Sequence, residues 1–264
     1  MKQTIVQVDA FTDRSFQGNP AAVCVLTSPQ DDRWMQSVAQ EMNLSETAFL
    51  LKQDGHYRLR WFTPTTEVPL CGHATLASAH VLWTEGYAST GQSIQFETKS
   101  GILTAKYQNE WIELDFPANR SQDIPPITKL RDALGVQLRT VLYNSLGYLV
   151  EVASVQQVEG LQPNFTLLRQ LPIANVIVTS KGKQDSKYDF VSRFFAPGLG
   201  IEEDPVTGAA HCCLAPYWRD RLAKDDFLAY QASARGGIVK IHYDGGDRVS
   251  LQGQAVTVMR GELL

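Results

Sequence analysis

A chain of 264 residues is long enough for one large or two medium hydrophobic cores, and 44% apolar against 20% charged residues is a globular balance, not a disordered or fibrous one. The net charge of −4 and a sequence pI near 5.7 exclude the basic excess with which nucleic-acid binders hold phosphates. No apolar run approaches the roughly 18–20 residues needed to span a bilayer.

The N-terminus, Met1-Lys2-Gln3-Thr4-Ile5-Val6-Gln7-Val8, reads directly as a first strand with no secretory apolar stretch, so the expected location is cytoplasmic. Gly18-Asn19-Pro20 then precedes a strand over 21–26, a helix over 31–42 and a strand over 46–52. Phe62-Thr63-Pro64 is an aromatic strand end and proline turn. It is followed by acidic Glu67 and by Gly72, which opens a helix over 73–83 that is apolar on nearly every side and so must be buried. Ser100-Gly101-Ile102-Leu103 reads as a hairpin turn. Residues 117–126, polar and bounded by Pro117 and Pro126, read as a boundary.

Beyond that boundary the order recurs. Gly147 is followed by a strand over 148–153, a helix over about 163–170 and a strand over 174–179. Phe195-Ala196-Pro197 and the acids Glu202, Glu203 and Asp204 lead to Gly208 and a helix from Ala209, which Pro216 should kink or end. Gly236-Gly237-Ile238-Val239 repeats the hairpin turn. Gly101 lies 29 residues after Gly72, and Gly237 lies 29 after Gly208; Gly18 to Thr47 spans 29 and Gly147 to Asn175 spans 28. Matching intervals in one order indicate a duplicated unit. We therefore divide the chain into a first half, 1–118 with 253–264 returning to it, and a second half, 119–252, with the chemistry expected in the cleft between them.

Three residues stand out as chemically competent. Glu46 stands at the mouth of an otherwise apolar strand, where partial desolvation raises a carboxyl toward proton-transfer range; the alternative is a plain solvated acid. His73 sits at a helix N-terminus, which disfavours imidazolium, and the alternative is a core histidine bonded to backbone. Asp204 precedes the second glycine-opened helix, where an acid is by default a cap. The two helix N-termini are sites for a carboxylate. Arg58 and Arg60 alternate on a strand and read as a solvated face; the five tryptophans read as core.

The four cysteines, Cys24, Cys71, Cys212 and Cys213, have no C-x-x-C spacing, so reduced thiols are expected and neither a disulfide nor a structural zinc. A metal held by some of His73, His80, His211, Cys71 and Cys212 is disfavoured because no ligand motif is present.

Several motifs together are specific. Asp9-Ala10-Phe11-Thr12, Gly18-Asn19-Pro20-Ala21-Ala22-Val23, Asn43-Leu44-Ser45-Glu46-Thr47-Ala48-Phe49, Arg60-Trp61-Phe62-Thr63-Pro64, Glu67-Val68-Pro69-Leu70-Cys71-Gly72-His73-Ala74-Thr75 and Glu203-Asp204-Pro205-Val206-Thr207-Gly208-Ala209-Ala210 run in order across essentially the whole chain. The chain resembles the phenazine-biosynthesis PhzF-like isomerase family. The resemblance implies an α+β, diaminopimelate epimerase-like fold: two pseudo-symmetric halves, each a curled, mostly antiparallel sheet wrapped around a central helix. It also implies a homodimer without cofactor or metal, acting on a small carboxylated, unsaturated metabolite.

By the same resemblance, Glu46 is the general acid/base that moves a proton between carbons. His73 and Asp204 assist by hydrogen bonding, the amides near Gly72 and Gly208 hold a substrate carboxylate, and Cys71, Thr207 and Ala209 are expected beside it. Asn19 reads either as turn chemistry before Pro20 or, from its place near the Glu46 strand, as a further substrate contact. In the phenazine enzyme a serine stands at the place of Ala209, so a different substrate is expected here. The alternatives are a one-thiol epimerase or dehydratase using Cys71, because Thr207 occupies the second thiol position of the related racemases, and a non-catalytic small-molecule binding protein.

Overall fold

The computed structural model describes residues 2–125 and 127–264; Met1 and Pro126, which belong to the expected N-terminal strand and linker, lie outside the described residues. The chain forms two compact units, Met1–Phe116 with Ser250–Leu264, and Pro117–Val249. No helix among the described residues is long and apolar enough to cross a membrane.

The first unit runs β1 (Gln3–Ala10), β2 (Asn19–Leu26), α1 (Asp32–Met42), β3 (Glu46–Lys52), β4 (Tyr57–Phe62), β5 (Glu67–Val68), α2 (Gly72–Thr84), β6 (Ile94–Thr98), β7 (Gly101–Gln108) and β8 (Trp111–Pro117). Two helices cover its sheet. On one face α1 seals a cluster that includes Ile5, Ala22, Cys24, Met35, Val38, Phe49 and Phe62. On the other, α2 packs on β1, β2 and β3. Strand alternation turns Ala21, Val23, Ala48 and Leu50, all fully buried, to the face opposite Ala22, Cys24 and Phe49. Because α2 is apolar all round it has no solvent face, and ten of its thirteen residues are buried. Its two buried hydroxyls are satisfied inside the helix, Thr75 donating to the Cys71 carbonyl and Ser78 to the Ala74 carbonyl.

The second unit runs β9 (Gln122–Asp123), α3 (Thr128–Leu134), β10 (Thr140–Asn144), β11 (Gly147–Glu151), α4 (Val155–Gly160), α5 (Phe165–Leu168), β12 (Val176–Lys181), β13 (Phe190–Phe195), β14 (Glu203–Asp204), α6 (Gly208–Leu222), β15 (Asp226–Gln231) and β16 (Gly237–His242). β17 (Arg248–Gly253) and β18 (Ala255–Leu263) follow, and β18 pairs antiparallel with β1. In β17, Gly253 is required by a close approach: a Cβ there would lie 2.5 Å from the Phe11 ring and 2.7 Å from Leu76 of α2.

Strand pairing establishes the internal repeat. β2 runs parallel to β3, and β11 parallel to β12. β3–β4 and β12–β13 are antiparallel, as are β4–β5 and β13–β14. β4 is parallel to β6 as β13 is to β15, and β6–β7 and β15–β16 are the two hairpins. The register also corrects one expected correspondence. Ala22 and Thr47 pair as Tyr148 and Val176 do, so Gly147 matches Ala21 and not Gly18.

Three further expectations change. The helix expected over about 163–170 is the short α5, and neither α3 nor α4 was foreseen. Pro216 does not end α6, which continues to Leu222. Proline removes the amide that would bond to the Cys212 carbonyl, and the Asn119 amide takes its place at 3.1 Å.

Finally, Arg60 is not part of a solvated face. Its side chain is 15% exposed and grips Glu67 through Nε and a terminal nitrogen, both at 2.8 Å, while stacking 5.0 Å above the Phe62 ring. Those hydrogen bonds hold the Glu67 carboxyl down at about 2. The second unit repeats the clamp: Arg193 grips Glu203 at 2.7 and 2.8 Å and stacks 4.7 Å above Phe195. In each unit the clamp ties the end of an aromatic strand to the acidic strand that leads into the central helix.

Arg193 also donates to the carbonyls of Val158, Glu159 and Leu161, whereas Glu67 has a second cation in Lys99. Arg193→Met is therefore expected to cost about 3 kcal/mol, and Arg60→Met about half that, by urea unfolding. Equal midpoints for the two variants would show that carbonyl capture contributes nothing.

Buried histidines set a second prediction. Burial holds His211 of α6 and His80 of α2 at about 4, so both stay neutral when folded. His211 bonds through Nδ1 to the Thr207 carbonyl at 2.8 Å, and His80 through Nε2 to Thr257 at 3.0 Å. Unfolding below the ordinary histidine range takes up protons that the folded state does not bind. Stability therefore falls on acidification from about pH 7 to about pH 4. His211→Gln, whose amide can reach the same carbonyl, is expected to remove close to one proton from the slope of stability against pH; an unchanged slope refutes the assignment.

Candidate functional site

In the first unit the expected residues meet where three elements begin. Asp31 caps α1 by accepting from the Trp34 amide, and Asn43 ends it in the left-handed region at φ 50°. That reversal delivers Glu46 as the first residue of β3, beside Ala21 of β2. Gly18, at φ +67°, admits no side chain: a Cβ would lie 2.1 Å from the Ala10 carbonyl oxygen, and this tight turn sets Asn19 at the start of β2. Cys71 occupies the N-cap of α2 with extended backbone, followed by Gly72 and His73 in the first turn.

His73 Nε2 lies 3.2 Å from Glu46 Oε2, and the two side chains are 5% and 18% exposed. The contact is close in distance but not aligned as a hydrogen bond. Glu46 is therefore largely desolvated rather than a plain solvated acid. On its other nitrogen, His73 Nδ1 meets the amide Nδ2 of fully buried Asn19 at 3.1 Å and the Cys71 sulfur at 3.5 Å. Ser45 donates to Asn19 Oδ1 at 3.5 Å, which leaves the Asn19 NH2 facing the ring. Nδ1 then accepts, and the ring proton belongs on Nε2, the nitrogen that faces Glu46. Burial pushes the imidazole down to about 3, so His73 acts as a neutral hydrogen-bonding group.

In the second unit the expected residues form a different cluster. Asp204 is half-buried in β14 and accepts from the Thr207 hydroxyl at 2.5 Å. Thr207 is the N-cap residue of α6, with Gly208 and exposed Ala209 in the first turn. Gln231, which sequence reasoning missed, locks this turn from the end of β15. Fully buried, it accepts from the Thr207 amide at 2.9 Å and donates to the Asp204 carbonyl at 2.7 Å. Nothing in its local sequence marks it, because its partners lie 24 and 27 residues away.

Register shows how the two copies have diverged. Trp61 pairs with Val68 as Phe194 pairs with Asp204, so the first unit has valine where the second has the acid. Thr47 pairs with Phe62 as Val176 pairs with Phe195, so Asn175 stands in the place of Glu46. Asn175 is a structural residue, donating to the Leu146 carbonyl and accepting from the Gly198 amide. By the same alignment Cys71 corresponds to Thr207 and His73 to Ala209.

All four cysteines are buried free thiols. Among the described residues, one group has metal-ligand composition: Glu46, Cys71 and His73, whose donor atoms lie within 4.8 Å of one another. Of the histidines weighed from sequence, His80 and His211 are instead engaged with Thr257 and the Thr207 carbonyl.

Comparison with known proteins places the chain in a family. A model of the phenazine biosynthesis-like proteins (PhzC-PhzF) matches residues 8–261. An uncharacterized isomerase of Halalkalibacterium halodurans is 57% identical over all of this chain and 99% of its own length. The human phenazine biosynthesis-like domain-containing protein is 41% identical, with 100% of this chain and 99% of its own covered. The crystal structure of a PhzF-family protein from Enterococcus faecalis superposes with a TM-score of 0.95 at 40% identity, covering 100% of both chains. With its diaminopimelate epimerase-like fold, the chain belongs to the phenazine biosynthesis-like, PhzF family.

Proposed function

We propose that this protein is an isomerase that moves a proton between carbons of a small carboxylated, unsaturated substrate without a cofactor, with Glu46 as general acid/base. The observation that carries the reading is the 3.2 Å approach of Glu46 to a buried, neutral histidine whose other nitrogen is occupied by Asn19. A carboxylate in a largely desolvated place can take a proton from carbon and return it to another. A neutral Nε2–H beside it can stabilise the carboxylate form without competing for the proton.

In this reading Asp204 and His73 orient the substrate. The amides at the first turns of α2 and α6, around Gly72 and around Gly208 and Ala209, bind its carboxylate as negative charge develops there. The reading requires Asp204 and the Thr207–Ala209 turn to reach the same substrate as Glu46. Ala209 offers a methyl group and no hydroxyl, so the part of the substrate beside it should be apolar or bare.

A panel of carboxylated dienes incubated with the protein in D2O tests the assignment. Deuterium should enter a carbon position, and Glu46→Gln should slow that exchange by about a thousandfold. Ligand binding with no exchange by the wild type would instead indicate a passive binding protein.

A second reading is favoured by one observation, the Cys71 sulfur 3.5 Å from His73 Nδ1. A thiol beside an imidazole can serve as the base of a one-thiol epimerase or dehydratase. The two readings separate on paired variants. We expect Cys71→Ser to retain most of the exchange that Glu46→Gln loses, and the reverse pattern would transfer the role of base to the thiol.

A further inference from the structure

We propose that Glu46, Cys71 and His73 form a three-donor site for a thiophilic divalent cation of the zinc type, and that its occupancy is mutually exclusive with proton transfer. The group has one carboxylate, one thiol and one imidazole, the donor types that zinc prefers. Their donor atoms lie within 4.8 Å of one another, and zinc bonds of about 2.0–2.3 Å place tetrahedral ligands about 3.3–3.8 Å apart, so contraction by about an ångström completes the set. The two short approaches fall on different ring nitrogens, Glu46 Oε2 at 3.2 Å from His73 Nε2 and the Cys71 sulfur at 3.5 Å from His73 Nδ1, so a metal bound through one nitrogen must draw the third ligand toward it.

The chain segments also suit a ligand set. Cys71 and His73 flank Gly72 at the rigid first turn of a buried helix, and Glu46 begins a strand parallel to the one that begins with Asn19. Asn19 fixes the ring with Nε2 toward Glu46, although as a donor to Nδ1 it favours the tautomer whose proton sits on Nε2. His73 loses no proton on binding through Nε2, but its ring proton must move to Nδ1 and the Asn19 amide must turn so that Oδ1 accepts it in place of the Ser45 hydroxyl. Balance requires one proton in total: the thiol S–H is replaced by S–metal, and the proton leaves to solvent. Three protein ligands leave the fourth position for water.

The consequence for catalysis rests on the proton-shift reading, since a metal-bound Glu46 cannot accept a proton from carbon; the binding site itself does not. The test uses the full-length protein, freed of metal and kept reduced, titrated with Co2+ and then Zn2+ without substrate. One equivalent of Co2+ should produce a thiolate-to-cobalt charge-transfer absorption in the near ultraviolet, which one equivalent of Zn2+ displaces with release of about one proton. Cys71→Ser should abolish the band, and His73→Gln and Glu46→Gln should each weaken binding at least tenfold, while His242→Gln leaves it unchanged.

On the unmutated protein, Zn2+ should protect Cys71 from alkylation, read by peptide mass, which keeps the test independent of how the variants fold. A missing band, a band that survives Cys71→Ser, or alkylation of Cys71 at an unchanged rate overturns the proposal. Zinc binding without any deuterium exchange would sink the catalytic reading and leave the site standing. Exchange that persists at Zn2+ concentrations that saturate the site would overturn the mutual exclusivity.

Discussion

His73 sits in the first turn of a helix that has no polar face, and the burial of that helix constrains everything around it. The N-terminal turn of this surrounded helix lies against the first residues of β2 and β3, Asn19 and Glu46. The imidazole carried on that turn is then dehydrated, and it stays neutral far below the pH at which a solvated histidine would charge. A neutral ring buried against a carboxylate needs its tautomer chosen. Asn19 makes that choice from the start of the neighbouring strand.

The same unit has been built twice, and the two copies keep the same mechanical parts. The arginine–glutamate clamp with its aromatic shelf recurs at Arg60, Glu67 and Phe62 and at Arg193, Glu203 and Phe195. Both clamps are partly withdrawn from water and bidentate, the geometry in which an ion pair fixes direction as well as contributing energy. They hold the approach to each central helix in the same shape while the residues at its tip diverge. The first copy carries Cys71, Gly72 and His73 at the tip; the second carries Thr207, Gly208 and Ala209. Asp204 replaces Val68, and Asn175 replaces Glu46.

That divergence bears on chemistry. Two equivalent thiols suit deprotonation and reprotonation from opposite faces of one carbon. This chain has a single thiol position filled, a single carboxylate of the Glu46 kind and a single histidine at a helix tip, so its functional groups are asymmetric on a symmetric frame. Glu46, His73 and Cys71 lie within reach of one another, the grouping on which the proposed proton shift rests and a set of soft and hard donors that a metal ion would compete for.

Much of the frame was legible in the sequence. Periodic apolar residues and paired glycines announce the repeat, the all-round apolar helix announces its own burial, and the ordered motifs identify the family. These are local or spacing signals, and they survive without a fold. What tertiary structure alone decided were the partners. Arg60 reads as solvent-facing because alternation says nothing about Glu67 folding back onto it. Pro216 reads as a helix breaker because the Asn119 amide that replaces its missing donor lies almost a hundred residues earlier. Gln231 carries no motif, and the grouping of Glu46 with Cys71 joins residues 25 apart that no ligand spacing connects. The sequence by itself determined which segments bury and which residues can do chemistry, since both are properties of side chains in order along the chain. Which groups touch, and therefore which nitrogen of His73 holds the proton, depends on register and chain reversal across the sheet, and only the folded structure sets those.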